Sequence, residues 1–247
     1  MAKPSVLLLD IETAPNLLTS WGLKIYGGYL SPENIVQERT IICASWKWLD
    51  QEKIYSSCVN AKTPLQDINV LHEIRFQLRQ ADAVIAHNGD EFDLPWIMTR
   101  SIHHNLPPLP PIVQIDTRKI AKKKFNFNSN KLEYLAQFLG VGTKLKTEYD
   151  LWKACLGGEE KALQKMVQYN RHDVVLLEGI YLRLAPFVPA QINARLFMNR
   201  PVCPYCAHEH VTRQGTAYTL ARAYARYQCQ ACHHWFRDSA SIPKGGK

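Results

Sequence analysis

The sequence has no long apolar segment, no internal repeat and no low-complexity tract. Its first apolar run, residues 6–9, ends at Asp10 after four residues and is too short for a signal peptide or a membrane span. We therefore expect no membrane association and a cytoplasmic location, in a nucleoid or a host cytoplasm. A wholly disordered chain is not expected either, because 46% of the residues are hydrophobic and only 21% are charged.

Acidic residues are scarce relative to basic ones. The 22 Asp and Glu face 30 Lys and Arg, which leaves a formal net charge of +8. Such an excess favours polyanionic partners such as nucleic acids, although a basic protein without such a partner fits the charge equally well. The length of 247 residues predicts one large domain and one small one.

The seven cysteines are unevenly distributed. Without an export signal they are expected to be reduced thiols or metal ligands. Three are isolated, and the other four form two C-x-x-C pairs, namely Cys203, Cys206, Cys229 and Cys232. Two such pairs can present four thiolates to one tetrahedral zinc ion, whereas a redox dithiol needs only one pair. The spacing therefore predicts one structural Zn²⁺.

The first two-thirds of the chain alternates short β-rich runs with helical patterns, which is typical of an α/β domain. The patterns predict strands at residues 6–9, 41–48, 53–59, 83–86 and 112–116, the second and third forming a hairpin. Helices are predicted at residues 65–80, 93–101, 131–140 and 159–184, with Asn130 as a candidate N-cap of the third.

Two carboxylates follow the first predicted strand. Asp10 and Glu12 are two positions apart, so their side chains project to the same side of an extended chain. Neighbouring carboxylates ionise together comfortably only around a cation, and Mg²⁺ prefers oxygen ligands of this kind. Alone, this pair describes a solvated strand end just as well.

Further candidates lie at compatible places. Asp93 ends the segment 87–93, at a predicted strand-to-helix junction that also contains Asn88. Tyr169 and Asp173 are four residues apart, which stacks them on one face of the last predicted helix.

The motifs D-x-E, N-G-x-x-F-D and Y-x-x-x-D, in this order, resemble those of the DEDD exonucleases of the ribonuclease H-like superfamily. The tyrosine of the last motif is similar to that of the branch related to the proofreading domains of family B DNA polymerases. The resemblance covers residues 5 to about 185. The resemblance implies a ribonuclease H-like mixed sheet flanked by helices and 3′–5′ exonuclease activity, on DNA rather than RNA. It also implies two Mg²⁺ or Mn²⁺ ions, a water positioned by Tyr169, and the metal ligands Asp10, Glu12, Asp93 and Asp173.

Alternatives remain open at this point. A structure-selective endonuclease could use the same site, and a nucleic-acid-binding regulator could keep the acids without catalysis. Glu178 would complete a D…D…E triad, but that scheme leaves Glu12 and the spacing of Tyr169 and Asp173 unexplained. Asp116 is interpreted as a structural residue or a helix cap, and His172 as pointing away from the catalytic face.

A basic segment, residues 118–127, contains five cations, no acids and two phenylalanines. It fits a surface that follows a nucleic-acid strand, or equally a solvated loop whose phenylalanines pack inward. Lys122, Lys123 and Lys124 of this segment are predicted to bind nucleic acid, as is Asn88 at the strand-to-helix junction.

The cysteine-bearing segment, residues 201–240, resembles the zinc ribbons of transposase and transcription-related proteins. Strands are predicted at 211–215 and 225–228, with a turn at Gly215 and with Trp235 and Phe236 covering a small core. Arg213 and Arg226 are predicted to contact nucleic acid, and protein docking is the alternative. The predicted organisation is an exonuclease domain at 1–185, a linker at 186–200, the ribbon at 201–240 and a tail at 241–247.

Overall fold

A computed structural model of the chain describes residues 3–22, 28, 30–198 and 202–243. Residues 199–200 of the predicted linker, the first residue of the predicted ribbon and residues 244–247 of the predicted tail lie outside this part. The strands are β1 (Val6–Thr13), β2 (Leu17–Leu18), β3 (Ile35–Gln37), β4 (Ile41–Trp48), β5 (Ile54–Cys58), β6 (Ala83–Ala86), β7 (Val113–Asp116), β8 (Val211–Tyr218), β9 (Ala223–Cys229) and β10 (Trp235–Ser241). The α-helices are α1 (Ile68–Leu78), α2 (Asp93–His103), α3 (Thr117–Lys124), α4 (Leu132–Phe138), α5 (Tyr149–Leu156) and α6 (Glu160–Leu184).

The central sheet has the strand order β5-β4-β1-β6-β7. β1 is antiparallel to β4 and parallel to β6, and β7 is parallel to β6. Helices cover both faces, so that successive residues of β1 enter two different cores: Leu7 and Leu9 face one, and Val6 and Leu8 the other. The predicted α/β class, with a mixed sheet flanked by helices, is confirmed.

β1 is longer than predicted. It continues to Thr13 because β4 pairs with it along that length, from Trp48 opposite Leu7 to Ile41 opposite Thr13. β6 pairs only as far as Leu8. The second half of β1 is therefore paired with β4 on one side but extends beyond its pairing with β6 on the other. Asp10 and Glu12 lie within this half.

Several helix boundaries differ from the prediction for tertiary reasons. α1 begins only at Ile68, since the side chain of Asp67 accepts a hydrogen bond from the Ile41 N–H and pairs with Arg100. Asn130 is not an N-cap, and its carbonyl oxygen instead accepts a hydrogen bond from His87. The helices α3 and α5 have no counterpart in the prediction.

The C-terminal segment forms a separate antiparallel sheet of order β10-β9-β8. Gly215 lies inside β8 with φ of +80°, where the register to β9 shifts, so it forms a bulge rather than the predicted turn. Phe236 is half-buried and stacks on Tyr227, but Trp235 is 47% exposed and does not cover the core. Both residues belong to β10, a strand that the sequence did not predict.

The ribbon sheet is attached to the rest of the chain through residues before it. Ala194, inside the predicted linker, is buried against Val202 and Ala207, and the Arg195 side chain donates to the Val202 carbonyl oxygen at 2.8 Å. None of the helices in the described ranges is both long and apolar enough to cross a bilayer.

Candidate functional site

Three of the predicted acids converge at the open end of β1. Asp10 and Glu12 project from alternate positions of the strand, and Asp173 approaches from α6, which packs against it. One carboxylate oxygen of each residue lies within 4.8 Å of the others. We call these three residues the acidic cluster.

The fourth predicted acid, Asp93, is oriented by the backbone. It is the first residue of α2, is 2% exposed, and its Oδ1 accepts a hydrogen bond from the Ile11 N–H at 3.0 Å. The approach of this junction to β6 requires Gly89, because a Cβ there would lie 2.3 Å from the Ala86 side chain. Asp93 therefore adjoins the acidic cluster, where its charge raises the pKa of Asp10, but it is not one of the three members.

The charges of these acids work against one another. Burial raises the pKa of Asp10 well above its ordinary value, and the carboxylates of Asp93, Asp173 and Glu12 raise it further. Burial raises the pKa of Glu12 to about 8 and that of Asp93 to about 7. The Asp173 Oδ1 atom is buried without a hydrogen-bond partner among the described residues. Crowded carboxylates with an open ligand atom fit a divalent cation.

Lys144 is a member of the site that the sequence did not reveal. It lies in the loop between α4 and α5, and its ammonium is 2.8 Å from the Asp173 Oδ2 atom and 4.8 Å from the centre of the Tyr169 ring. Burial opposes its charge, but Asp173 and Tyr169 together outweigh burial and raise the pKa of Lys144. No motif distinguishes it in the sequence from the other Lys and Arg residues.

Tyr169 lies one helical turn before Asp173 and is 6% exposed. Its ring meets Trp152 of α5 edge-to-face at 6.0 Å, and Trp152 also hydrogen-bonds to Glu12. Burial raises the pKa of Tyr169, so its phenol stays protonated at neutral pH.

Asn170 is a second residue missed by the sequence analysis. It is fully buried beside Tyr169, and its Nδ2 group donates to the Asp10 Oδ2 atom. His172, as predicted, points elsewhere, and its ring donates to the Thr143 carbonyl oxygen at 2.7 Å. It thereby supports the loop that carries Lys144.

The rival acid Glu178 pairs with Lys47 and is not part of the acidic cluster. Asp116 is the N-cap of α3 and accepts hydrogen bonds from the backbone of Arg118 and Lys119, which confirms its prediction as a helix cap.

Two clefts lie at the site: one is lined by Lys144, which pairs with Asp173, and the other by Glu12 of the acidic cluster. One, of about 420 Å³, contains Lys144 together with Asn88, Arg118 and Lys131. The other, of about 410 Å³, contains Glu12 and Trp152. Three cations, Lys144, Arg118 and Lys131, and the acid Glu133 therefore line the cleft on the Lys144 side.

The basic segment is largely helical, because it forms α3. Lys122, Lys123 and Lys124 are exposed on its last turn and do not line either cleft. Phe125 and Phe127 stack on each other at 5.2 Å and pack against the core, as the loop alternative for this segment predicted for them. They are not presented to a nucleic acid.

The four cysteines come together in two equivalent turns. In each, the first cysteine N–H donates to a carbonyl five residues on, and its sulfur accepts from the N–H two residues on, as Cys203 does from Tyr205 and Cys229 from Ala231. The sulfur atoms of Cys203 and Cys232 are 3.7 Å apart, as are those of Cys206 and Cys229. Tetrahedral zinc with Zn–S bonds of about 2.3 Å sets sulfur atoms roughly 3.8 Å apart. The cluster therefore fits Zn²⁺.

Arg213 and Arg226 are both exposed but lie on opposite faces of the ribbon sheet. Arg213 is paired with Tyr227, and Arg226 is the neighbour of Tyr227 along β9. Because paired residues share a face and successive residues alternate, the two arginines point to opposite sides.

Comparisons with known proteins bear on the larger sheet. A family model described as RNase H superfamily matches residues 34–185. No curated protein matches the chain significantly. Among solved structures, the family B DNA polymerase from the hyperthermophilic archaeon Pyrobaculum calidifontis is similar with a TM-score of 0.57 and 16% identity. The match covers 75% of this chain and 25% of the polymerase, and at this identity it shows a shared fold.

Proposed function

Because the chain belongs to the RNase H superfamily, we propose that it is a metal-dependent 3′–5′ exonuclease of the tyrosine-containing DEDD type that degrades DNA. The observation that carries the proposal is the acidic cluster, with one oxygen each from Asp10, Glu12 and Asp173 within 4.8 Å and with Tyr169 one turn away. The fold shared with a family B DNA polymerase supports it.

The acidic cluster and Asp93 are the proposed ligands of two Mg²⁺ or Mn²⁺ ions. Such ions, when bound, activate a water and stabilise the leaving 3′ oxygen. The open Oδ1 of Asp173 is available as a ligand atom. Asn170 keeps Asp10 turned toward the cluster, and Asp93 holds the β1 backbone at Ile11.

The remaining side chains handle orientation and charge. With its phenol protonated, Tyr169 acts as a hydrogen-bond donor that orients the attacking water rather than as a base. Lys144 places a positive charge beside Asp173, where it offsets the repulsion among the acids and can meet the phosphate. Asn88 lines the cleft on the Lys144 side and is proposed to contact the strand, with Lys122, Lys123 and Lys124 as outlying phosphate contacts.

The four cysteines are proposed to hold one structural Zn²⁺, so that residues 201–240 form a zinc ribbon that assists nucleic-acid binding. Residues 1–185 are proposed to be the exonuclease domain, and residues 186–200 to be the linker that joins it to the ribbon. None of the described cysteines is disulfide-bonded, which accords with the proposed cytoplasmic location.

The test is digestion of DNA and RNA labelled at the 3′ or the 5′ end, with Mg²⁺ or Mn²⁺. Nucleotides should be released stepwise from the 3′ end of DNA. Asp10→Ala and Asp173→Asn should each lower the rate at least about 100-fold, because they remove charge that holds the catalytic ions.

Glu178→Gln is the matched control, since it removes an acid from the same helix outside the cluster and should leave the rate unchanged. Activity that survives both aspartate substitutions would contradict the assignment of Asp10 and Asp173 to the active site. Internal cuts in a circular substrate would point to an endonuclease instead.

A further inference from the structure

One face of the ribbon sheet carries alternating rings and arginines. Trp235 is paired with Gln228 and Arg237 with Arg226, and both pairs occupy alternate positions of β10 and β9. Residues at such positions share a face. We call Tyr224, Arg226, Trp235 and Arg237 the outer ribbon face.

The four side chains of the outer ribbon face are stacked in two pairs. The Arg226 guanidinium lies 5.2 Å from the centre of the Trp235 ring, and that of Arg237 lies 4.3 Å from the Tyr224 ring. Arg226 is fixed further by donating from Nε to the Gln214 carbonyl oxygen at 2.8 Å. The cations are thus held in place against rings, with N–H groups left over.

The opposite face is the one that packs against the chain. There Phe236 stacks on Tyr227, and Arg195 lies 4.7 Å from the Phe236 ring and 3.8 Å from the Asp238 carboxylate. The outer ribbon face is left to solvent, and Trp235 on it is 47% exposed.

The outer ribbon face carries two positive charges, and none of its four residues is an acid. Arg226 and Arg237 are directly opposite each other, an arrangement of like charges that destabilises a sheet. Asp238 of β10 lies on the opposite face, within 3.8 Å of Arg195. A polyanion would remove this unfavourable contact.

We propose that the outer ribbon face binds single-stranded DNA, with Arg226 and Arg237 on phosphates and an unpaired base stacked on Trp235. Exposed rings beside cations are the chemistry of single-strand binding, because stacking needs a base that is not enclosed in a duplex. The inference deepens the proposed function and rests on it: the ribbon would hold the strand upstream of the 3′ end that enters the acidic cluster.

The first experiment measures binding by the full-length chain carrying Asp173→Asn, which prevents digestion without a chelator that would strip zinc. The probe is a fluorescent oligothymidylate of about 20 nucleotides, longer than the footprint of one small module. Trp235→Ala should weaken binding about fivefold or more, with the salt dependence unchanged, because stacking is lost and charge is not.

Arg237→Gln should weaken binding and reduce the slope of log affinity against log salt by about 0.7, the contribution of one phosphate contact on a single strand. Arg183→Gln is the matched control, since it removes one exposed charge from the last turn of α6, outside the ribbon and both clefts, and its slope should stay close to that of the unsubstituted chain. Equal effects of Arg183→Gln and Arg237→Gln would overturn the proposal, as would the absence of binding at low salt, which would favour a protein partner.

A second experiment separates this proposal from the exonuclease proposal. With Asp173 intact, Trp235→Ala should slow the digestion of the long strand but not of an oligonucleotide of about four nucleotides. An oligonucleotide of that length fills about one small binding site, so it would not occupy the outer ribbon face and the acidic cluster together. Unchanged binding and digestion of both substrates would overturn the role of the face and leave the exonuclease standing. Trp235-dependent binding without any nucleotide release would do the reverse.

Discussion

The two ligand clusters of this chain are assembled in opposite ways. The four cysteines lie in one short segment, where two equivalent turns set their sulfur atoms 3.7 Å apart in pairs. The acidic cluster joins Asp10 on the central strand to Asp173 on the last long helix, and the protein itself inserts the cation of Lys144 beside them.

The two sites should therefore depend on metal to different degrees. A small ribbon with three short strands and few buried residues has little core to hold it without zinc. The acidic cluster is embedded in a sheet with helices on both faces and in two large cores, so its surroundings should persist without Mg²⁺.

The largest effect should therefore come from the cysteines. Cys206→Ser removes a ligand from a site of the kind that contributes about 10 kcal/mol or more, so residues 202–243 should unfold while the central sheet remains. Zinc content by atomic absorption and hydrogen exchange along the chain would measure this. If the amides of β8, β9 and β10 stayed protected from hydrogen exchange without zinc, the ribbon would not depend on its metal as expected here.

A smaller effect is expected at Lys144. Lys144→Gln removes the charge beside Asp173 and should lower the exonuclease rate by about 100-fold, the size seen when one preorganised donor is lost. The change should leave the ribbon and its zinc intact. Lys146→Gln, two residues along the same loop, is the control and should be near the unsubstituted rate. Equal rates for both variants would show that Lys144 has no part in the reaction.

The smallest effect concerns stability and pH. The folded-state pKa of Glu12 is raised to about 8, so the folded chain holds protons that the unfolded chain releases. The contribution is favourable below the ordinary pKa of a glutamate and is lost as the pH rises towards 8. Without Mg²⁺, the melting temperature should fall by about 2–4 °C over this window for each kcal/mol lost.

Added Mg²⁺ should abolish most of that fall, since the ion stabilises the charged carboxylates. Calorimetry of the zinc-loaded chain at several pH values would measure it, with Asp10→Asn as the comparison because it removes part of the repulsion. A melting temperature that rises with pH in the absence of Mg²⁺ would contradict the interpretation of a crowded acidic cluster.

Much of the molecule could be predicted wherever the determining residues are close in sequence. The alternation that puts Asp10 and Glu12 on one side, the turn that stacks Tyr169 and Asp173, and the paired cysteine turns are all local geometry. The boundaries of β1 and α1 could not be predicted in the same way, because pairing with β4 extends the strand and the contacts of Asp67 delay the helix.

The α/β class, the acidic motifs and the two cysteine pairs could all be recognised in the sequence, because strand alternation, helix spacing and the C-x-x-C turn each act over a few residues. The folded structure brings Lys144 and Asn170 to the acids and turns Asp93 to the Ile11 N–H. It also places Arg213 and Arg226 on opposite faces of the ribbon sheet. These facts depend on which distant segments pack together, and no local periodicity carries that information.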